Sequence, residues 1–181
     1  MKGSVEVLRE ILKHKLPPVI HNPGTTPDRP AELYDFWVAN KLKVWEERRT
    51  LVGNGQCPVL VQAATGAPLV STWLRGPRVR GNKAVPRGTA IAVFDPDGFY
   101  SNEGKYPRHA AIYLSQDKDG LEVLDQWADR DVTAKGFRRK VRFGHREGHA
   151  TVNGGDYFHV VLTPKYGEFD WISIVGGKPG F

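Results

Sequence analysis

The chain has one cysteine and one methionine in 181 residues, and no hydrophobic run long enough to cross a membrane. A single cysteine excludes intramolecular disulfide bonds, so folding cannot depend on an oxidising compartment. The first residues lack the apolar core of a secretory signal, which predicts synthesis in the cytoplasm without a signal peptide. The absence of a long apolar run predicts that the protein does not insert into membranes.

The composition is that of a soluble globular protein, with 40% hydrophobic and 25% charged residues. The net charge of +6 would favour association with an anionic surface such as a cell-wall polymer. The densest basic cluster lies between Lys135 and Arg146, and we interpret it as a solvated face. Because no nucleic-acid-binding motif accompanies it, we expect no nucleic-acid partner.

Helical patterns come first along the chain. Apolar residues recur at helical spacing between Ser4 and Lys15, and a second helix is predicted from Ala31 to about Arg49. We therefore divide the chain into an N-terminal helical extension, residues 1–50, packed on a domain formed by residues 51–181. Residues 71–82 are predicted to form a helical turn followed by a surface loop.

Strand patterns dominate from residue 86 onward. The apolar run 89–94 predicts a central strand that is buried on both faces. Two strands, 109–115 and 121–127, flank an Asp-Gly turn that is typical of a hairpin. Further strands are predicted at 139–143 and 157–163, and residues 171–175 could add a last one. Helices followed by about five antiparallel strands predict an α+β fold.

Cys57 follows a turn that contains Gly53 and Gly55, and it begins a helix that Gly66 would end. Pro58 suits the first helical turn. A thiol at a helix N-terminus faces unpaired N–H groups and the positive end of the helix dipole, and both favour the thiolate. A lone cysteine is more often a small buried hydrophobe, so the alternative is that Cys57 only packs.

His109 is the candidate base for Cys57, because it opens a strand behind a polar loop. A catalytic histidine needs a third group that orients its ring. A hairpin turn centred near residues 118 and 119 places residues 126 to 128 opposite His109, which makes Gln126 one candidate. A bulge or a shift of one residue would instead place Asp125 on the same face. Asp125 is the better candidate because it is charged, and Gln126 is the alternative, since spacing alone cannot separate the two.

Gln56 precedes Cys57, and its amide could donate to an oxyanion together with the Cys57 backbone N–H. It could equally be a turn residue that bonds its own backbone. The histidines at 145, 149 and 159 could form a zinc site, but the surrounding glycines argue against a helix that would align them. We expect no metal and no cofactor.

Four segments together resemble the CHAP-type, papain-like cysteine amidohydrolases, and among them the subgroup of type VI secretion amidase effectors. They are Gly-Asn-Gly-Gln-Cys (53–57), Gly-Thr-Ala-Ile-Ala (88–92), His-Ala-Ala-Ile-Tyr-Leu (109–114) and Val-Leu-Asp-Gln-Trp (123–127). The resemblance covers about residues 50–163. Pro58, directly after the cysteine, departs from the family pattern.

The resemblance implies a helix that carries Cys57 as nucleophile, packed on a small antiparallel sheet that supplies His109 as base. It implies cleavage of amide bonds in peptidoglycan stem peptides or cross-links. It further implies delivery to the periplasm of target cells by a dedicated secretion system, and a cognate immunity protein in the producing cell. Two other functions stay open: a non-catalytic module that binds an anionic wall polymer, and a cysteine peptidase that acts on proteins.

Overall fold

The computed structural model describes residues 30–100, 108–133, 136–145, 153–165 and 168–171. These residues contain two α-helices, α1 (Pro30–Glu47) and α2 (Cys57–Thr65), and two short 3-10 helices, Val70–Thr72 and Gly155–Tyr157. Within these ranges, neither α-helix combines the length and the apolar character that a membrane crossing requires. The helix predicted at 4–15, His149 and most of the strand predicted at 171–175 lie outside the described residues.

Seven strands form one sheet in the described part of the chain. Their order is β1-β6-β2-β3-β4-β5, with β7 also paired to β6, and every strand pair is antiparallel. The α+β prediction is therefore confirmed, although the sheet has seven strands and not about five. The strands are β1 (Leu74–Arg78), β2 (Ala90–Ala92), β3 (Ala110–Gln116), β4 (Gly120–Leu124), β5 (Arg138–Arg142), β6 (His159–Lys165) and β7 (Glu168–Trp171).

Strand β1 corrects the prediction of a helical turn and surface loop at residues 71–82. A 3-10 turn does precede it, but residues 74–78 pair with β6. Gly76 and Pro77 hide this strand in the sequence, because both weaken a strand pattern. Proline is tolerated here because β1 lies at the sheet edge, and the register shifts between Arg75 and Arg78.

The central strands are buried on both faces, as predicted for residues 89–94. Ala90 and Ala92 belong to the core cluster beneath the helices, whereas Ile91 belongs to a second cluster on the opposite face. Helix α2 packs on β3. Helix α1 contributes the fully buried Val38 and Leu42 to the first cluster. Helix α1 is thus part of the core, and the domain boundary at residue 50 stays a prediction.

Candidate active site

Helix α2 begins at Cys57, with Gln56 as its N-cap residue and Pro58 in its first turn. The helix ends at Gly66, which has a left-handed conformation and donates its backbone N–H to the Gln62 carbonyl at 2.8 Å. The predicted start and stop of this helix are therefore confirmed. Cys57 is buried and lies at the N-terminal end of the helix.

The turn before Cys57 requires its two glycines. Gly53 and Gly55 have φ angles of +56° and +79°, which side chains other than glycine rarely adopt. A Cβ on Gly55 would also lie 3.0 Å from the Cα of Ala128. The turn before Cys57 is therefore in close contact with the segment that follows β4.

Gln126 connects β4 to the same turn through three hydrogen bonds. Its Oε1 accepts the backbone N–H of Val52 at 2.9 Å. Its Nε2 donates to the carbonyl of Val52 at 3.0 Å and to the carbonyl of Gln56 at 2.9 Å. Gln126 is fully buried. Gln126, the predicted alternative to Asp125, therefore holds the turn before Cys57 in place through its side-chain amide, and does not orient His109.

His109 and Asp125 meet at one end of the β3–β4 hairpin. Nε2 of His109 lies 2.6 Å from Oδ2 of Asp125, and both side chains are almost completely buried. A register shift between Tyr113 and Ser115 creates this pair. Without the shift, the register at the turn would place Gln126 on the face of His109, because adjacent strand residues point to opposite faces.

Two arginines hold the carboxylate of Asp125 as well. Arg139 donates from Nε to Oδ2 at 2.6 Å, and Arg130 donates from Nη1 to Oδ1 and, at 2.7 Å, to the Asp125 carbonyl. Arg139 corrects the interpretation of the basic cluster as a solvated face. Its neighbours 138, 140 and 142 are exposed, but Arg139 lies on the opposite side of β5 and is partly buried.

The thiol of Cys57 and the imidazole of His109 shift each other's pKa toward the charged forms, thiolate and imidazolium. Burial raises the pKa of Cys57, but hydrogen bonding and charge from His109, together with hydrogen bonds from Tyr100 and the Ala110 backbone, outweigh it, so the net pKa is below the ordinary value. Burial lowers the pKa of His109, but Asp125 and Cys57 outweigh it and raise this pKa to about 9. The arrangement therefore favours a thiolate beside an imidazolium.

Tyr100 is a site residue that the sequence analysis missed. Its hydroxyl lies 3.6 Å from the Cys57 Sγ. Burial, followed by the charge of Cys57, raises the pKa of Tyr100 well above its ordinary value, so the phenol stays protonated. In the sequence, Tyr100 falls within the polar loop predicted between residues 99 and 108, and no local pattern indicates contact with a residue 43 positions earlier.

The remaining predicted residues occupy other positions. Gln56 is exposed and its side chain makes no cap hydrogen bond, while its backbone N–H donates to Asn54 Oδ1 at 3.1 Å. Nδ1–H of His159 donates to the Tyr157 carbonyl, 3.0 Å away. Among the residues that the structure describes, no group of three or more His, Cys, Asp or Glu side chains is placed to hold a metal ion.

A buried cysteine at a helix N-terminus, interacting with a histidine that a carboxylate contacts, has the arrangement that covalent catalysis by a thiol requires. The comparisons with known proteins indicate a hydrolase of amide bonds. The chain matches the family Domesticated amidase effector 2 over residues 33–161. The chain therefore belongs to the Domesticated amidase effector 2 family, a family of amide-bond hydrolases.

Relatives and a solved structure extend this result. The chain is 34% identical over 109 residues to a Type VI secretion amidase effector 2 protein of Salmonella typhi, covering 60% of this chain and 80% of the relative. It is 36% identical over 115 residues to Domesticated amidase effector 2 of Ixodes scapularis, covering 61% of this chain and 74% of the relative. These matches confirm the resemblance to type VI secretion amidase effectors.

A solved structure named Type 6 secretion amidase effector 2 (Tae2) is similar in fold and sequence. Its TM-score is 0.58 at 31% identity, and the match covers 72% of this chain and 96% of that chain. The similarity supports the predicted α+β fold, in which a cysteine-bearing helix packs on a small antiparallel sheet. The wider CHAP designation stays a prediction.

Proposed function

We propose that the protein hydrolyses an amide bond in the peptide part of peptidoglycan by covalent catalysis. Cys57 is the nucleophile, His109 is the base and Asp125 orients the His109 ring. One observation carries the proposal: the fully buried carboxylate of Asp125 holds Nε2 of the same histidine that lowers the pKa of the Cys57 thiol. The family to which the chain belongs supports the reaction class.

The reaction follows from this geometry. Because Asp125 occupies Nε2, we assign Nδ1 of His109 as the nitrogen that takes the thiol proton. The thiolate attacks the amide carbonyl, and a carbon–sulfur bond forms while the carbonyl electrons move to oxygen. The Cys57 backbone N–H and the exposed amide of Gln56 donate to this oxyanion. His109 then protonates the leaving amine, and water hydrolyses the thioester.

The names of the relatives support an effector role. A protein named as a type VI secretion effector is delivered by a secretion machine, so we propose the same route here, with the target cell's periplasm as the site of action. A cell that makes such an enzyme must protect its own wall. We therefore also propose a cognate immunity protein that binds this domain in the producing cell.

The test is digestion of purified peptidoglycan, followed by mass analysis of the released fragments. We expect fragments that identify one cleaved amide bond, and no such fragments with Cys57→Ala. Retained binding to peptidoglycan without cleavage by the wild-type protein would show a binding module instead. Cleavage of casein, with peptidoglycan left intact, would show a peptidase that acts on proteins.

A further inference from the structure

The N-terminus of α2 offers few main-chain donors to an oxyanion. Pro58 has no backbone N–H, and the N–H of Val59 donates to the Gln56 carbonyl at 3.1 Å. Among the first three helical positions, this leaves the N–H of Cys57 itself. Preorganised donors stabilise the oxyanion of a tetrahedral intermediate. The amide of Gln56, assigned above as a donor, is exposed and makes no hydrogen bond that caps the helix, whereas a buried side chain near Cys57 offers a further donor.

Tyr100 has the geometry for this role. Its hydroxyl lies 3.6 Å from the Cys57 Sγ, and the residue is only 5% exposed. Its ring packs on Trp73 with centroids 5.2 Å apart, and on Phe94 in an edge-on contact at 6.1 Å. Because aromatic rings on two sides fix the phenol, the hydroxyl stays beside the sulfur without reorganisation during the reaction.

We propose that Tyr100 is a further catalytic residue, whose hydroxyl donates to the Cys57 thiolate at rest and to the oxyanion of the tetrahedral intermediate. This inference rests on the proposed function. The oxyanion and Sγ are bonded to the same carbon atom in the intermediate, so a donor beside Sγ lies close to the oxyanion as well. When the negative charge moves from sulfur to oxygen, the Tyr100 hydroxyl changes its acceptor from Sγ to the oxyanion.

No proton leaves Tyr100 in this scheme. The thiolate electron pair forms the carbon–sulfur bond, and the carbonyl π electrons become the oxyanion. When the intermediate collapses, these electrons re-form the carbonyl, the carbon–nitrogen bond breaks and the amine takes its proton from His109. The high pKa of Tyr100, caused first by burial, keeps the phenol protonated throughout.

The test is Tyr100→Phe, which keeps the ring and its contacts with Trp73 and Phe94 and removes only the hydroxyl. We expect kcat for peptidoglycan fragments to fall on the order of 10- to 100-fold, with KM changed less than about threefold, since the lost contact forms mainly in the intermediate. The pH profile of Cys57 alkylation by iodoacetamide should move to higher pH. Tyr113→Phe is the matched control, because Tyr113 is a buried tyrosine in the other core cluster.

Two outcomes overturn the proposal. If folded Tyr100→Phe keeps the wild-type kcat, Tyr100 is not an oxyanion donor, even when the alkylation profile moves. If Tyr113→Phe lowers kcat as much as Tyr100→Phe does, the loss follows from the removal of any buried hydroxyl and is not specific to Tyr100. Failure of the proposed function would look different: wild type and Cys57→Ala would release the same fragments. The alkylation profile would then still test the contact with the thiolate, and an unchanged profile would refute it.

Discussion

Replacing Asp125 with asparagine should separate the electrostatic role of the carboxylate from its shape. In the wild type, Asp125 is fully buried and faces His109 and the guanidinium groups of Arg130 and Arg139. Asp125→Asn keeps the size of the side chain but leaves these cations without their shared counter-charge. Removing one partner of a buried ion pair costs about 3–5 kcal/mol. For a domain of this size, the melting temperature should fall by roughly 6–20 °C.

The same change should weaken the catalytic pair. The rise of the His109 pKa from 6.5 to about 9 corresponds to roughly 3 kcal/mol that favour the imidazolium, and Asp125 is the first of the groups that raise it. With asparagine, the pKa of His109 should fall and that of Cys57 should rise. We expect turnover to fall about 10- to 1000-fold. The equivalent change in the catalytic triad of a serine protease costs roughly 10⁴-fold, and we expect a smaller loss here because a thiolate depends less on proton removal during attack.

Asp156→Asn is the matched control. Asp156 also accepts hydrogen bonds from an arginine, Arg80, and lies near Arg78, but it is not part of the site. The Asp156→Asn variant should be less stable than the wild type, with no change in the pH profile of Cys57 alkylation. Turnover and alkylation are measured well below each variant's melting temperature. A folded Asp125→Asn variant with wild-type turnover and an unchanged alkylation profile would refute the assignment.

Three further predictions follow from the contacts around Cys57. Because its pKa is lowered, Cys57 should react with iodoacetamide well below pH 8, and His109→Ala should slow this reaction; an ordinary thiol titration in both proteins would contradict the pair. Gln126→Ala should lower the free energy of unfolding by about 1–3 kcal/mol or more, since it leaves three backbone groups without their partner, and denaturant titration would measure this. Gly55→Ala should lower stability and turnover more than Gly81→Ala, because both positions have positive φ but only Gly55 faces close neighbours; equal losses would show that backbone strain alone matters.

The parts of the site that depend on local rules could be predicted from the sequence. A glycine turn, a proline in the first turn and a glycine after the last turn indicate where α2 begins and ends. The placement of His109 before a strand also followed from the apolar pattern. The choice between Asp125 and Gln126 could only be reduced to two candidates, because it depends on a register shift of one residue, and no local pattern marks that shift.

The parts that depend on long-range contacts could not be predicted. Tyr100 lies 43 positions after Cys57, and the two residues meet only because the fold brings the chain back to the Cys57 end of α2. The basic cluster indicates a solvated face, but alternate residues of a strand point to opposite sides, so Arg139 is partly buried against Asp125 while its neighbours are exposed. Strand β1 was hidden by Gly76 and Pro77, whose low strand preference is offset by pairing with β6 at the edge of the sheet.

Asp125 and Gln126 are consecutive residues with different partners. One holds the ring of His109, and the other holds the backbone just before Cys57. Since both side chains extend from the same end of β4, any displacement of that strand end moves the base and the nucleophile in the same direction. The base and the nucleophile thus share one support, the end of β4, through two neighbouring side chains.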